Sequence, residues 1–190
     1  MKKILKLILW AFVICSVGAV GVKVFITHQH SDKVHIEKFQ TSQDEAFVRT
    51  FFTDNWYWLV SEYSVDFSLD YILSHMMSSH RPDAQPLTFE MLYRGSKLVG
   101  FVAYHLLNNA TGPKGGKLLF LGVSRLERGQ GYSSILIRRV LEQLCGQGCK
   151  YVDLVTRVQN ISARETYRRN GFYETAQDNK FVSYRYDCAK

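Results

Sequence analysis

In this 190-residue chain the residue types that most directly suggest chemistry are Arg128-Gly129-Gln130-Gly131-Tyr132-Ser133. They come directly after the apolar run Leu118-Leu119-Phe120-Leu121-Gly122-Val123 and precede a helical pattern, so the stretch reads as a turn from a buried strand into a helix. Glycines at such a junction expose several N–H groups on one concave turn, and the helix terminus adds roughly half a positive charge. Without a Cβ in the way, a ligand can approach the backbone closely. Phosphate is the natural ligand, and an ordinary loop is the plain alternative. The spacing matches neither common phosphate loop, having no Gly-Lys-Ser/Thr ending and no Gly-x-Gly-x-x-Gly.

Elements on the C-terminal side of the turn must position it. Ile135, Leu136, Val140, Leu141 and Leu144 recur at helical spacing, with Arg138, Arg139, Glu142 and Gln143 mostly off that face, which predicts an amphipathic helix ended by Gly146 and Gly148. Tyr151 to Thr156 is a β-rich run. Asn160, a capping box Ser162-x-x-Glu165, Tyr167 and a stop at Asn170-Gly171 predict a short closing helix.

Together these residues resemble the GNAT superfamily of N-acetyltransferases. Its coenzyme A signature, Arg/Gln-x-x-Gly-x-Gly/Ala, is matched by Arg128 and Gly131 and departs at Ser133, where a hydroxyl stands in place of Gly/Ala. A later signature is matched by Asn160, Ala163, Tyr167 and Gly171-Phe172. The resemblance is strongest over residues 118–173. It implies an α/β fold with a central mixed, mostly antiparallel sheet flanked by helices, and acetyl-coenzyme A as cosubstrate. It further implies that backbone groups around Leu121 and Val123 hold the pantetheine arm and polarise the thioester carbonyl. Amides from Arg128 through Gly129, Gly131, Tyr132 and Ser133 would bind the pyrophosphate. Asn160 would contact the cofactor, and Tyr167 would protonate the departing thiolate, the alternative being a tyrosine that simply packs.

The formal charge is +7, but Lys2, Lys3, Lys6 and Lys23 lie in residues 1–27 with no acid, leaving 20 basic against 17 acidic residues elsewhere. No concentrated basic stripe suggests nucleic acid. Cys15, Cys145, Cys149 and Cys188 have no metal-ligand spacing. Cys145 and Cys149 either pair across a glycine turn or remain reduced structural thiols, and nothing points to a disulfide-built secreted fold.

Leu7 to Val22 is uncharged, and if Lys6 and Lys23 snorkel the usable apolar stretch is residues 4–26, just long enough to span a bilayer. The readings are an uncleaved N-terminal apolar helix anchoring the protein, a signal peptide cleaved near Val17-Gly18-Ala19, or a buried or interfacial helix. The expected organisation is an anchor or signal over 1–27, a linker over 28–35 and the catalytic domain over 36–190. Lys2, Lys3 and Lys6 favour a cytoplasmic N-terminus, which would carry the domain across the membrane. The resemblance pulls it to the cytoplasmic side, where acetyl-coenzyme A is found.

His28-Gln29-His30 offers too few ligands for a metal and reads as linker. Val34 to Phe39 predicts a first strand, and Thr41 to Glu45 a helix start with overlapping capping boxes. Phe47, Val48, Phe51 and Phe52 form the core face of that helix. Trp56-Tyr57-Trp58-Leu59 continues the helix packing, or walls an acceptor pocket, or meets a membrane interface. A second helix is expected over Leu69 to Met77 after Ser68, then a loop to Pro86. Strands are expected over Leu87 to Tyr93 and Leu98 to Leu107, with a loop over Asn108 to Gly116 and a last strand over Phe181 to Tyr186.

Acetyl transfer needs a neutral amine, yet Lys117 to Val123 carries no base. Glu90, His105 and Glu174 are the candidate substitutes, with a water relay or a low-pKa amine as alternatives. The leading expectation is an acetyltransferase acting on a primary amine of an unidentified small-molecule or protein acceptor. The alternative is a non-catalytic, membrane-anchored acyl-coenzyme A-binding or interaction module.

Overall fold

The Gly95-Ser96 turn closes a hairpin between β2 (Thr88–Arg94) and β3 (Lys97–Leu107) that forms one half of the sheet. The computed structural model describes residues 33–59, 87–107 and 113–188. β1 (Val34–Lys38) adds to β2, and β4 (Gly115–Val123) adds to β3, both antiparallel. β5 (Tyr151–Arg157) joins β4 in parallel, and β7 (Phe181–Asp187) and the edge strand β6 (Tyr173–Gln177) complete a seven-stranded sheet ordered β1-β2-β3-β4-β5-β7-β6. The mixed, mostly antiparallel character expected from sequence is present. β1 begins two residues inside the stretch expected to be linker. The anchor expected over 4–26 and the helix expected over Leu69–Met77 lie outside the described residues. Among the described residues no helix is long and apolar enough to cross a membrane.

Side chains alternate across the strands, and each face takes one long helix. α1 (Thr41–Leu59) packs Val48, Phe51 and Phe52 against Phe89, Met91, Phe101 and Ala103. α2 (Tyr132–Gly146) packs Leu136, Ile137, Val140 and Leu144 against Leu92, Val102, Tyr104 and Leu154. Burying a side chain of this size contributes about 2 kcal/mol. α3 (Ile161–Arg169) is short and adds Tyr167 to the second cluster.

Carboxylates buried in this core have matching donors. Asp44, near the start of α1, accepts from the Gln40 amide at 2.7 Å and from the Tyr93 hydroxyl at 2.5 Å. Glu45 pairs instead with Arg49 at 2.7 Å, so the expected boxes resolve into one carboxylate reaching back to Gln40 and one exposed ion pair. Glu90, also buried, receives Arg139 Nη2 at 2.7 Å, Arg139 Nε at 3.1 Å and the Tyr104 hydroxyl at 3.2 Å. Asn160, not Ser162, caps α3, its Oδ1 accepting from the Ala163 amide at 3.3 Å. Glu165 is left to pair with Arg169.

The cysteine reading is corrected. Cys145 in the last turn of α2 is bonded to Cys188 just beyond β7, with Cα atoms 5.4 Å apart, and Cys149 is the free, buried thiol. Sequence separation of 43 residues hides this partner, because only the pairing of β5 with β7 brings the two together. A loop of that length corresponds to about 4 kcal/mol in a chain-entropy account. Reduction of the wild type, or Cys188→Ser, is expected to lower the unfolding free energy by about 2–4 kcal/mol. Reductant should have no further effect on the variant, and urea unfolding of the wild type unchanged by reductant would disprove the bond.

Candidate functional site

Parallel pairing between β4 and β5 covers Gly115 to Lys117 against Tyr151 to Asp153 and then ends. β4 continues along β3, and β5 stays paired with β7 as far as Arg157. Beyond Lys117 the two strands therefore diverge, leaving a wedge between their inner edges. Backbone groups alternate in direction along a strand. The Ser124 amide donates to Val99 at 2.8 Å on the β3 side, so Val123 and Leu121 direct their amides and carbonyls into the wedge. Phe51, Trp58, Thr156 and Tyr167 help line the resulting cleft of about 710 Å³, a volume suited to a small-molecule ligand.

The glycine turn closes one end. Gly129 and Gly131 adopt φ of 82° and 81°, where other residues incur about 1–2 kcal/mol. Apart from their chain neighbours, no atom of the described residues lies within 4 Å of where a Cβ would stand on either, which leaves room for a ligand at the turn. Among the described residues the amides of Gly129, Gln130, Gly131, Tyr132 and Ser133 make no backbone hydrogen bond. The first such bonds in α2 run from Ser134 and Ile135 to the Gly131 carbonyl, at 3.0 and 3.2 Å. Five donors without a backbone partner, at and just before the positive end of a fifteen-residue helix, have the chemistry that suits an anion.

Two residues expected here contribute differently. The Arg128 side chain is turned back into the protein, donating from Nε to the Val123 carbonyl at 3.1 Å and from Nη2 to Asn55 Oδ1 at 3.2 Å. It fixes the turn against β4 and α1. The Tyr132 ring packs into the core and its hydroxyl meets Gln130, which leaves its amide for the site. Ser133 lines the cleft.

Asn160 lines the opposite wall. Its Oδ1 is committed to capping α3, and its Nδ2 has no partner among the described residues. Tyr167 is only 8% exposed, its ring against Phe172 and Tyr184. Its hydroxyl makes no hydrogen bond among the described residues and is not sealed from the cleft. Burial, then the neighbouring Tyr184, pushes its pKa up to about 12.

None of the three substitute bases lies on the cleft. Glu90 is held by Arg139 beneath α2. Glu174 is held by Tyr184, Arg168 and Arg164, which bring its pKa down to about 2. His105 sits on β3 away from the wedge. Among the described residues lining the cleft, Glu127 is the one carboxylate. It is buried, bonded to Lys97 at 2.6 Å and near Arg94 at 3.3 Å, and the Lys97 ammonium holds its carboxyl below the usual range.

Sequence reading missed the residues that hold the wedge. Arg157, at the end of β5, donates from Nε to the Tyr57 carbonyl and stacks over the Tyr57 ring at 4.1 Å. Asn170 donates to Ser134 Oγ at 3.0 Å, tying the end of α3 to the start of α2. Asn55 and Arg157 belong to no motif and carry no signal in sequence. Asn170 was legible only as a helix stop. The aromatic run at the end of α1 does not simply continue the packing: Trp56, Tyr57 and Trp58 are 50%, 41% and 45% exposed, while Trp58 and Leu59 wall the cleft.

Comparison with known proteins agrees with this geometry. Residues 45–172 match the family model described as Acetyltransferase (GNAT) family. A search of curated sequences finds no match. Among solved structures, a GNAT-family acetyltransferase of Staphylococcus aureus Mu50 superposes with a TM-score of 0.63 at 18% identity, covering 83% of this chain and 100% of that one. PaiA N-acetyltransferase of Thermoplasma acidophilum, solved with coenzyme A, gives 0.63 at 16% identity over 82% and 99%. Arabidopsis thaliana Naa50 with the bisubstrate analogue CoA-Ac-MVNAL gives 0.62 at 17% over 81% and 98%.

Proposed function

Because the chain belongs to the acetyltransferase (GNAT) family, we propose that it moves an acetyl group from acetyl-coenzyme A to a primary amine by direct attack, both substrates being held in the wedge. The observation that carries this reading is the coincidence, at one end of the sheet, of diverging strands with five amides, Gly129 to Ser133, that make no backbone hydrogen bond among the described residues. The residues present fit the cosubstrate. The amides suit its diphosphate, and on the inner edge the Leu121 amide and carbonyl and the Val123 amide offer strand-like hydrogen bonds to its pantetheine amides, the Val123 carbonyl being taken by Arg128. Acetyl-coenzyme A supplies the activated thioester carbonyl, and the acceptor amine forms the new C–N bond as the C–S bond breaks. Asn160 Nδ2 is one side-chain donor on the other wall.

Tyr167, which lines the cleft, would be the donor to the departing sulfur. A pKa of about 12 keeps the phenol protonated at any working pH. Thiols ionise near about 8.5, so complete transfer from the phenol is uphill, and Tyr167 acts mainly by hydrogen bonding to the developing thiolate. The thiolate's proton balance is closed by the one the amine releases. Tyr167→Phe is expected to lower kcat by about a hundredfold, while leaving acetyl-coenzyme A binding intact. That binding should raise the stability of the full chain by about 2–3 kcal/mol at a ligand concentration about a hundred times Kd. Absence of any thermal shift argues against the function. Stabilisation with no thiol release across a panel of amines favours a binding module instead.

Since Glu127 is held ionised and paired, the acceptor must arrive neutral. Below the amine's own pKa its neutral fraction rises tenfold per pH unit, so kcat/KM should rise with pH until that pKa is reached. A plateau well below it would expose a base on the protein.

Anchoring by residues 4–26 completes the proposal. Lys2, Lys3 and Lys6 favour a cytoplasmic N-terminus, and the Cys145–Cys188 bond suits oxidising surroundings. Both support a domain on the far side of the membrane, against the expectation drawn from the acetyl donor. Protease added outside sealed membrane vesicles that keep the cytoplasmic face inward should then digest the domain, and protection from it would return the domain to the cytoplasm.

A further inference from the structure

We propose that the end of the domain carrying Trp56, Trp58 and Leu126 rests on a lipid bilayer, with those three side chains in its interfacial layer. Leu126, at the tip of the turn after β4, is 86% exposed, and Trp56 and Trp58 are about half exposed. The Arg128–Asn55 hydrogen bond joins that turn to the last turns of α1, so the three belong to one end of the molecule. Single exposed apolar residues are ordinary, but several large ones gathered at one end mark an interaction surface. Tryptophan and tyrosine, apolar with a polar edge, are the residues that settle at the headgroup level. Exposed Arg125 beside Leu126 supplies a cation there for lipid phosphate.

Chain connectivity selects a bilayer over other occupants. Val34 pairs with Arg94, Arg94 with Lys97, and Gly100 with Val123, so β1 starts at the same end of the sheet as β4 finishes. Three strand spacings, about 15 Å, separate β1 from β4. Only residues 27–33 stand between the apolar stretch 4–26 and Val34, a span of at most about 25 Å. A membrane holding residues 4–26 is thus kept within reach of the aromatic end. The acceptor side of the cleft, walled by Trp58 and Leu59, would then open beside the headgroups.

The test uses the full chain with Trp10→Phe, which leaves Trp56 and Trp58 as its tryptophans. It is reconstituted in phosphatidylcholine–phosphatidylglycerol vesicles, with or without phosphatidylcholine brominated high on its acyl chains. The expected result is loss of most tryptophan emission in brominated vesicles and protection from aqueous iodide in unbrominated ones. Quenching by iodide without quenching by bromolipid overturns the proposal. So does shielding from both, which would mean that protein covers the patch. Leu126→Asp, at an exposed position, should weaken the bromolipid quenching, and unchanged quenching removes Leu126 from the surface. Stabilisation by acetyl-coenzyme A is read separately and is untouched by either outcome.

Discussion

Every functional feature of this domain depends on a parallel strand pair that stops early. Buried backbone amides and carbonyls almost always find partners, and leaving one unmatched costs about 1–3 kcal/mol. Here β4 and β5 pair over Gly115 to Lys117 and then separate, which leaves a row of groups asking for a ligand or water. The outer edges of both strands remain laddered to β3 and β7. Divergence is therefore imposed by two rigid half-sheets, and the groups in the gap are preorganised.

Separation of this kind must be held, because strands left alone would close the ladder. Four side-chain ties bear on it. Arg128 ties the glycine turn to the end of β4 and to α1. Arg157 attaches the end of β5 to the last turn of α1, which thereby bridges the gap. Asn170 links α3 to α2 across the other side. Glu127 adds a fourth tie, joining the turn to the β2–β3 hairpin through Lys97 and Arg94. Glu127 is matched by Lys97 and Arg94, whereas Arg128 and Arg157 donate to neutral oxygens, so the frame adds positive charge to the helix dipole and backbone donors that the cleft presents to an anion.

Local patterns made much of this legible. The glycine turn, the amphipathic α2 and the β-rich β5 are consequences of residue type and spacing, and they are present as expected. So are Val48, Phe51 and Phe52 on the inner face of α1. Long-range partners were not legible. Nothing near Glu90 in sequence announces Arg139, and a carboxylate with the chemistry of a base is the buried half of an ion pair. Arg128 matches a motif whose usual reading is cofactor binding, and its guanidinium instead serves a carbonyl five residues back. Cys145 gives no hint of Cys188, whose proximity depends on β7 inserting between β5 and β6.

That last bond has a topological result. Together with the backbone from 145 to 188 it makes a covalent ring that contains β5, α3, β6 and β7, and so one whole wall of the cleft, Asn160 and Tyr167 included. The turn at Asp178 to Lys180 is the exposed tip of that ring. A single peptide bond hydrolysed there would leave a two-chain molecule in which neither fragment can diffuse away, and β7 would stay held between β5 and β6.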